Sequence, residues 1–212
     1  APDGVYPEGP SYWEYGTTYN VLLIAALESA LGTDFGLKRR PGFRETGAYP
    51  LLMTGPTGGV FGFSDSGQTG GLSPAVFWFA RENKDPGLAW DNHRRLREML
   101  AKDGAGRGSR FLPLLLVWWD GKPAAEPRQP LAWKGEGINP VAVFRTSWTD
   151  PNAAFLAVKA GTPAANHGHM DTGSFIYEAD GVRWALDLGA ESYGKLEARG
   201  MGIWDRKQGS DR

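Results

Sequence analysis

The chain has 212 residues, 41% of them hydrophobic and 22% charged, with a formal net charge of −1. That is an ordinary globular balance, long enough for one large core or two smaller ones, and it exerts no overall pull towards nucleic acid or anionic lipid; an acidic partner has to be met by a local basic patch. With no cysteine, disulfides, thiolate nucleophiles and cysteine-type zinc sites are excluded.

The longest apolar run, residues 21–27, is too short to span a bilayer, and no signal-peptide pattern opens the chain. Ala1-Pro2-Asp3-Gly4 reads as the middle of a longer polypeptide. Pro7, Gly9 and Pro10 predict a fixed loop over residues 3–16. A helix follows: Thr17 or Thr18 can cap it, residues 21–31 are apolar nearly all round, and Gly32 ends it. Such a helix belongs inside a larger helical assembly, which places Tyr12-Trp13-Glu14-Tyr15-Gly16 at the entry of a buried helix. Residues 37–40 read as a solvated basic run, and Pro41 opens a further helix towards Met53, weakened by Gly42, Gly47 and Pro50.

Residues 55–71 are loop-like, with a short extended piece at 60–63; Asp65 and Gln68 serve there as loop-stabilising groups or as ligand contacts. Ser73-Pro74 predicts a cap and first helical residue for a helix over 75–83. Residues 88–102 form the clearest amphipathic helix, with Leu96, Met99 and Leu100 inward, a basic outer face and a solvated His93. Residues 109–119 are very apolar and end at Asp120-Gly121. The proline-rich stretch from 122 to 140 reads as a linker laid over a surface. Strand patterns then take over at 141–148, 154–159, 174–179 and 182–188, with a turn at Asp150-Pro151-Asn152. Asp180-Gly181 is a two-residue hairpin signal that sets Glu178 against Arg183 as a cross-strand ion pair. Helices first and strands second predict an α+β chain with two segregated parts, residues 1–135 helical and 136–212 β.

The chemistry concentrates in Asn166-His167-Gly168-His169-Met170-Asp171-Thr172-Gly173-Ser174-Phe175, which holds two of the three histidines. Imidazoles at i and i+2 point to one side of an extended segment, Gly168 lets something large approach the backbone, and Asp171 adds a carboxylate. This set suits zinc, or a metal ligand paired with a general base; the alternative is two solvated histidines in a polar loop. Nine tryptophans, seven tyrosines and ten phenylalanines line a sugar-binding cleft or fill the core.

Two stretches carry a family resemblance. Pro7-Glu8-Gly9-Pro10-Ser11-Tyr12-Trp13-Glu14-Tyr15-Gly16 with its apolar helix, and the histidine stretch followed by Trp184-Ala185-Leu186-Asp187-Leu188-Gly189, resemble the heparinase II/III family of polysaccharide lyases. The resemblance implies the C-terminal part of an incomplete α/α toroid followed by the first antiparallel strands of a β-sandwich. It also implies β-elimination on an acidic, uronate-containing polysaccharide, a glycosaminoglycan or alginate. In such a reaction the uronate carboxylate is neutralised, a base takes the C5 proton and an acid protonates the departing glycosidic oxygen, roles that phenol and imidazole can fill.

By resemblance, Tyr15 is the catalytic tyrosine with Tyr12 second to it, His167 is the catalytic histidine, and His169 and Asp187 are zinc ligands. The third zinc ligand, and a toroid His or Asn, are expected from parts of the same polypeptide outside this chain, which is therefore expected to be inactive alone. Tyr12, Trp13, Glu8 and Arg145 are the expected substrate contacts, Arg145 towards a carboxylate. Neither nucleic acid nor a membrane is an expected partner, and the resemblance implies a periplasmic or secreted location. A glycoside hydrolase using carboxylates among Glu8, Glu14 and Asp65, or a non-catalytic carbohydrate-binding or structural module, are the alternatives. For Asp187 to share a site with the histidines, the strand has to break near Gly168 or Gly173, or the loop has to differ in length, because a regular two-residue hairpin puts Asp187 on the opposite face; a break is the expectation.

Overall fold

The computed structural model describes residues 1–101, 110–165 and 167–202; Asn166, Lys102 and Ser109, which the sequence reading included, lie outside them. Among the described residues there are six α-helices, α1 (Pro10–Leu31), α2 (Tyr49–Leu52), α3 (Pro74–Glu82), α4 (Trp90–Ala101), α5 (Leu115–Trp118) and α6 (Tyr193–Ala198), with short 3₁₀ turns between them. They accompany one antiparallel meander of five strands, β1 (Ala132–Gly135), β2 (Val141–Arg145), β3 (Phe155–Lys159), β4 (Phe175–Ala179) and β5 (Val182–Ala185), each paired with the next. The fold is α+β, as the sequence order implied: α1 to α5 precede the sheet and α6 follows it.

Three local readings are corrected. Helix α1 starts at Pro10, not after Thr17: Gly9, at φ 82°, turns the chain, and proline at the first helical position costs no hydrogen bond. Gly16 is accommodated because the Tyr6 hydroxyl lies against it, where a Cβ would stand 2.8 Å away. Secondly, the linker contains a strand: β1 pairs Trp133 with Val143 and Gly135 with Val141, so the sheet begins before residue 136. Thirdly, α4 does not present His93 and a row of free cations to solvent. His93 packs edge-on against Phe77 and Trp119, 5.1 and 5.6 Å between ring centres, and burial pulls its pKa down. Arg94 and Arg95 both turn onto Asp91, while Leu100 is exposed.

One continuous core joins the two halves. Trp13, Phe61, Phe63 and Phe79 from the helical part pack in the same cluster as Val141, Val143, Phe155, Ala157 and Ile176 from the sheet. Alternation puts those sheet residues on one face, and that face continues into three buried charges: Arg145, Lys159 and Glu178. Each is answered by the loop after α2 or by a residue bonded to it. Arg145 donates to the carbonyls of Leu52 (3.2 Å) and Thr54 (3.0 Å). Glu178 accepts from Thr57 N–H (2.9 Å) and from Arg183 Nε (2.7 Å), the cross-strand pair expected from the hairpin. Lys159 Nζ donates to Asp171 (2.6 Å), whose other oxygen accepts from Ser64 N–H (3.1 Å). The sheet thus grips residues 52–64 through polar contacts set around an apolar centre.

Gly55 lies directly against the Glu178 carboxylate, with no room for a Cβ. Gly55→Ala is expected to cost about 1–3 kcal/mol, the range for overpacking a filled interior. Urea unfolding checks this; an unchanged midpoint would show that the approach is not close.

Candidate active site

The loop gripped by the sheet carries Asp65 at its tip. Phe61 and Phe63 bury the ascending limb, and Ser64 turns in the left-handed region at φ 54°. Beyond Asp65, the Ser66 hydroxyl accepts from Ser11 N–H (3.0 Å) and donates to the Glu8 carbonyl (3.3 Å), which ties the tip to the start of α1. The Asp65 carboxylate is 9% exposed and serves as a hub. His167 Nδ1 lies 2.7 Å from one oxygen and His169 Nε2 lies 2.9 Å from the other. The Tyr193 hydroxyl, at the start of α6, donates to the oxygen that His167 uses.

His167 is held from a second side: the Tyr12 ring stacks on it, 4.3 Å between centres and 27° between planes. Its backbone is in the left-handed region at φ 51°, which costs a non-glycine residue on the order of 1–3 kcal/mol. The two histidines therefore do not alternate along an extended strand; they converge because Asp65 sits between them. What approaches Gly168 is the chain itself, since a Cβ there would meet the carbonyls of Pro163 and Ala165 at 2.6 and 2.7 Å.

The expected site residues separate into groups. Tyr12, His167 and His169 come together around Asp65. Tyr15 does not join them: it is 55% exposed and turns edge-on to Tyr19 at 5.2 Å. Tyr19 meets Phe111 at 5.3 Å, and the Arg110 guanidinium lies 5.0–5.9 Å from all three rings. Tyr12, Tyr15 and Tyr19 share one side of α1 by helical spacing, so an aromatic strip leads from His167 to Arg110. Trp13 is no surface contact: it is buried and donates through Nε1 to Thr46 Oγ1 (2.8 Å). Arg145 is no carboxylate contact either. It is buried over the Trp148 ring at 3.4 Å, bound to backbone carbonyls, and burial lowers its pKa to about 10 against the opposing pull of Glu178. Glu8 is partly exposed on the loop that meets Ser66. Glu14 faces Gly71 and Arg95 instead of the histidines; burial raises its pKa, with Arg95 opposing.

The break that the sequence required is present. Gly173 turns at φ 90°, β4 starts only at Phe175, and the β4–β5 register shifts between Tyr177 and Glu178 so that Trp184 is left over. Asp187 is buried, with its oxygens taken by Ser174 Oγ (2.6 Å) and Gly189 N–H (2.8 Å). Asp171, the acid of the histidine stretch, is engaged by Lys159 and Ser64. Among the described residues no group of three or more His, Cys, Asp or Glu is placed to hold a metal ion. These residues by themselves do not fit a zinc centre, and no catalytic step is derived through one.

Sequence reasoning weighed Asp65 as a loop-stabilising group, a ligand contact or a hydrolase carboxylate but not as the partner of the histidines, and it passed over Tyr193, Tyr19, Arg110 and Phe111 altogether. Asp65 left one signal, a lone acid in a Ser-Asp-Ser-Gly turn directly after the apolar Phe61-Gly62-Phe63.

Residues 141–203 match the family described as Heparinase II/III-like, C-terminal. In fold the chain is similar to the crystal structure of heparan sulfate lyase HepC from Pedobacter heparinus (TM-score 0.58, 18% identity) and to that of a HepC mutant (TM-score 0.64, 19% identity). In both comparisons 93% of this chain aligns with 28% of the HepC chain, so it spans about a quarter of that protein's length. No curated protein matches by sequence.

Proposed function

For a chain that is heparinase II/III-like in fold and, over residues 141–203, in sequence, we propose the role of part of a polysaccharide lyase that cleaves an acidic, uronate-containing glycan by β-elimination. The observation that carries this reading is the stack of Tyr12 on His167, a phenol from the helical half against an imidazole from the sheet half. In the reaction a base takes the C5 proton, the electron pair forms the C4–C5 double bond, the C4–O bond breaks, and the leaving oxygen receives a proton from an acid. Tyr12 and His167 are the pair proposed to carry those protons, each able to donate and accept. Tyr12 takes the role that the sequence resemblance gave to Tyr15. Tyr15, Tyr19 and Phe111 offer apolar faces to sugar rings, and Arg110 offers a cation to a carboxylate or sulfate. Such a protein belongs in a bacterial periplasm or outside the cell.

The test is incubation of the full-length protein with heparan sulfate, chondroitin sulfate and alginate while ultraviolet absorbance is followed. Elimination produces an absorbing unsaturated uronate; new reducing ends without that absorbance would mean hydrolysis, and glycan retention without either would mean a binding module. Of Glu8, Glu14 and Asp65, the acids a hydrolase would draw on, Glu14 lies in a separate cluster and the Asp65 carboxylate is engaged by His167 and His169, which disfavours the hydrolase.

Zinc is proposed to bind through His169 and Asp187, with a further ligand from outside the described residues. Metal analysis of the dialysed full-length protein should find one zinc per chain, with loss on His169→Ala. Metal-free protein with an unchanged thermal midpoint would remove zinc from the proposal.

A further inference from the structure

We propose that Asp65 is a positioning residue that decides which nitrogen of His167 exchanges a proton with the sugar; this rests on the reading of His167 as a proton carrier. Four observations meet at the carboxylate. It is nearly buried, so its bonds are not traded for water. Its two oxygens are divided between His167 Nδ1 at 2.7 Å and His169 Nε2 at 2.9 Å. One face of the His167 ring is covered by Tyr12 at 4.3 Å, and the His167 backbone is held at φ 51°. Finally, the loop tip is itself anchored, through Ser64 to Asp171 and the fully buried Lys159, and through Ser66 to α1.

A carboxylate only accepts hydrogen bonds, so the nitrogen facing it has to carry hydrogen. His167 therefore carries hydrogen on Nδ1, and in the neutral imidazole the lone pair is on Nε2. The proton that leaves or reaches the sugar passes through Nε2, while Asp65 keeps Nδ1 occupied and the ring in one orientation. The Tyr193 hydroxyl on the same Asp65 oxygen fixes that oxygen's direction. An asparagine at 65 keeps the size of the side chain but offers one acceptor and one amide donor, so it cannot accept from both imidazoles and no longer enforces hydrogen on His167 Nδ1.

Nitrogen-15 NMR of the unaltered full-length protein, labelled on histidine, should show the Nδ1–H tautomer for His167, assigned with His167→Gln. In Asp65→Asn that signature should be lost and kcat should fall about 10²–10⁴-fold with KM changed little, the size of effect seen when a catalytic imidazole is put in the wrong tautomer or a proton carrier is removed. Asp65→Glu, which keeps the carboxylate, should restore part of kcat. A His167 protonated on Nε2 alone in the unaltered protein overturns the proposal, as does an Asp65→Asn protein with normal kcat. If Asp65→Asn does not fold, the tautomer in the unaltered protein decides alone. If no acidic glycan is cut, the lyase reading fails, yet the tautomer still reports on Asp65.

Discussion

Tyr12→Phe in the full-length protein is expected to lower kcat on the cleaved glycan by about 10²–10⁴-fold, the usual contribution of one general acid or base. The fold should survive, because phenylalanine keeps the ring that stacks on His167 and loses only the hydroxyl. Tyr15→Phe is expected to change kcat less than tenfold and to act mainly on KM, since Tyr15 stands in the exposed strip with Tyr19 and Arg110. Steady-state kinetics on both variants separates the two tyrosines. Should Tyr15→Phe prove the inactive one, the stack of Tyr12 on His167 is packing, and the proton carrier is the tyrosine that the family resemblance first suggested.

The second large effect concerns stability. Lys159 is completely buried and its ammonium faces the Asp171 carboxylate at 2.6 Å. Removing one member of such a pair leaves the other charge buried and uncompensated, a loss of about 3–5 kcal/mol. Asp171→Ala is therefore expected to destabilise the protein by that amount in urea unfolding. The double variant Lys159→Met/Asp171→Leu should recover most of the loss, because an apolar pair of similar volume avoids the desolvation cost. The single variant also frees Ser64 N–H, the residue before Asp65, so activity should fall at temperatures well below its unfolding transition. A loss under 1 kcal/mol in the single variant would mean that water reaches the ammonium.

Much of this architecture was legible in the residues, and for definable reasons. The Asp180-Gly181 turn admits φ 54° and 72° at its two positions, and this fixed both the hairpin and the Glu178–Arg183 pair. The break at Gly173 followed from counting which face Asp187 would occupy in an unbroken hairpin. The start of α1 was missed because proline and glycine in Pro7–Pro10 were weighed as loop formers, whereas Gly9 and Pro10 together make a helix entry. Strand β1 was hidden because four residues between prolines show too little alternation to count, and it forms only because β2 offers an edge.

The site divided along the same line. His167 and His169 stand out by their rarity in the chain, but which tyrosine meets them depends on a rotation of α1 that no local pattern encodes. Asp65 was harder still, since its partners lie 102 and 104 residues away along the chain. Arg145 showed the opposite failure: a strand-borne cation near the histidine stretch in sequence proved to be sealed beneath the sheet, tied to Leu52 and Thr54.

The three charges on the inner side of the meander have a consequence for how it assembles. An all-apolar inner row would tolerate a slip of two residues along a neighbour, since side chains would return to the same side. Here such a slip would carry Arg145, Lys159 or Glu178 past the groups that answer it and strand it among hydrocarbon. Misaligned pairings are thereby penalised far more than the correct one is rewarded, so these side chains act as alignment keys during folding, and the loop that carries Asp65 is set in place by the same keys.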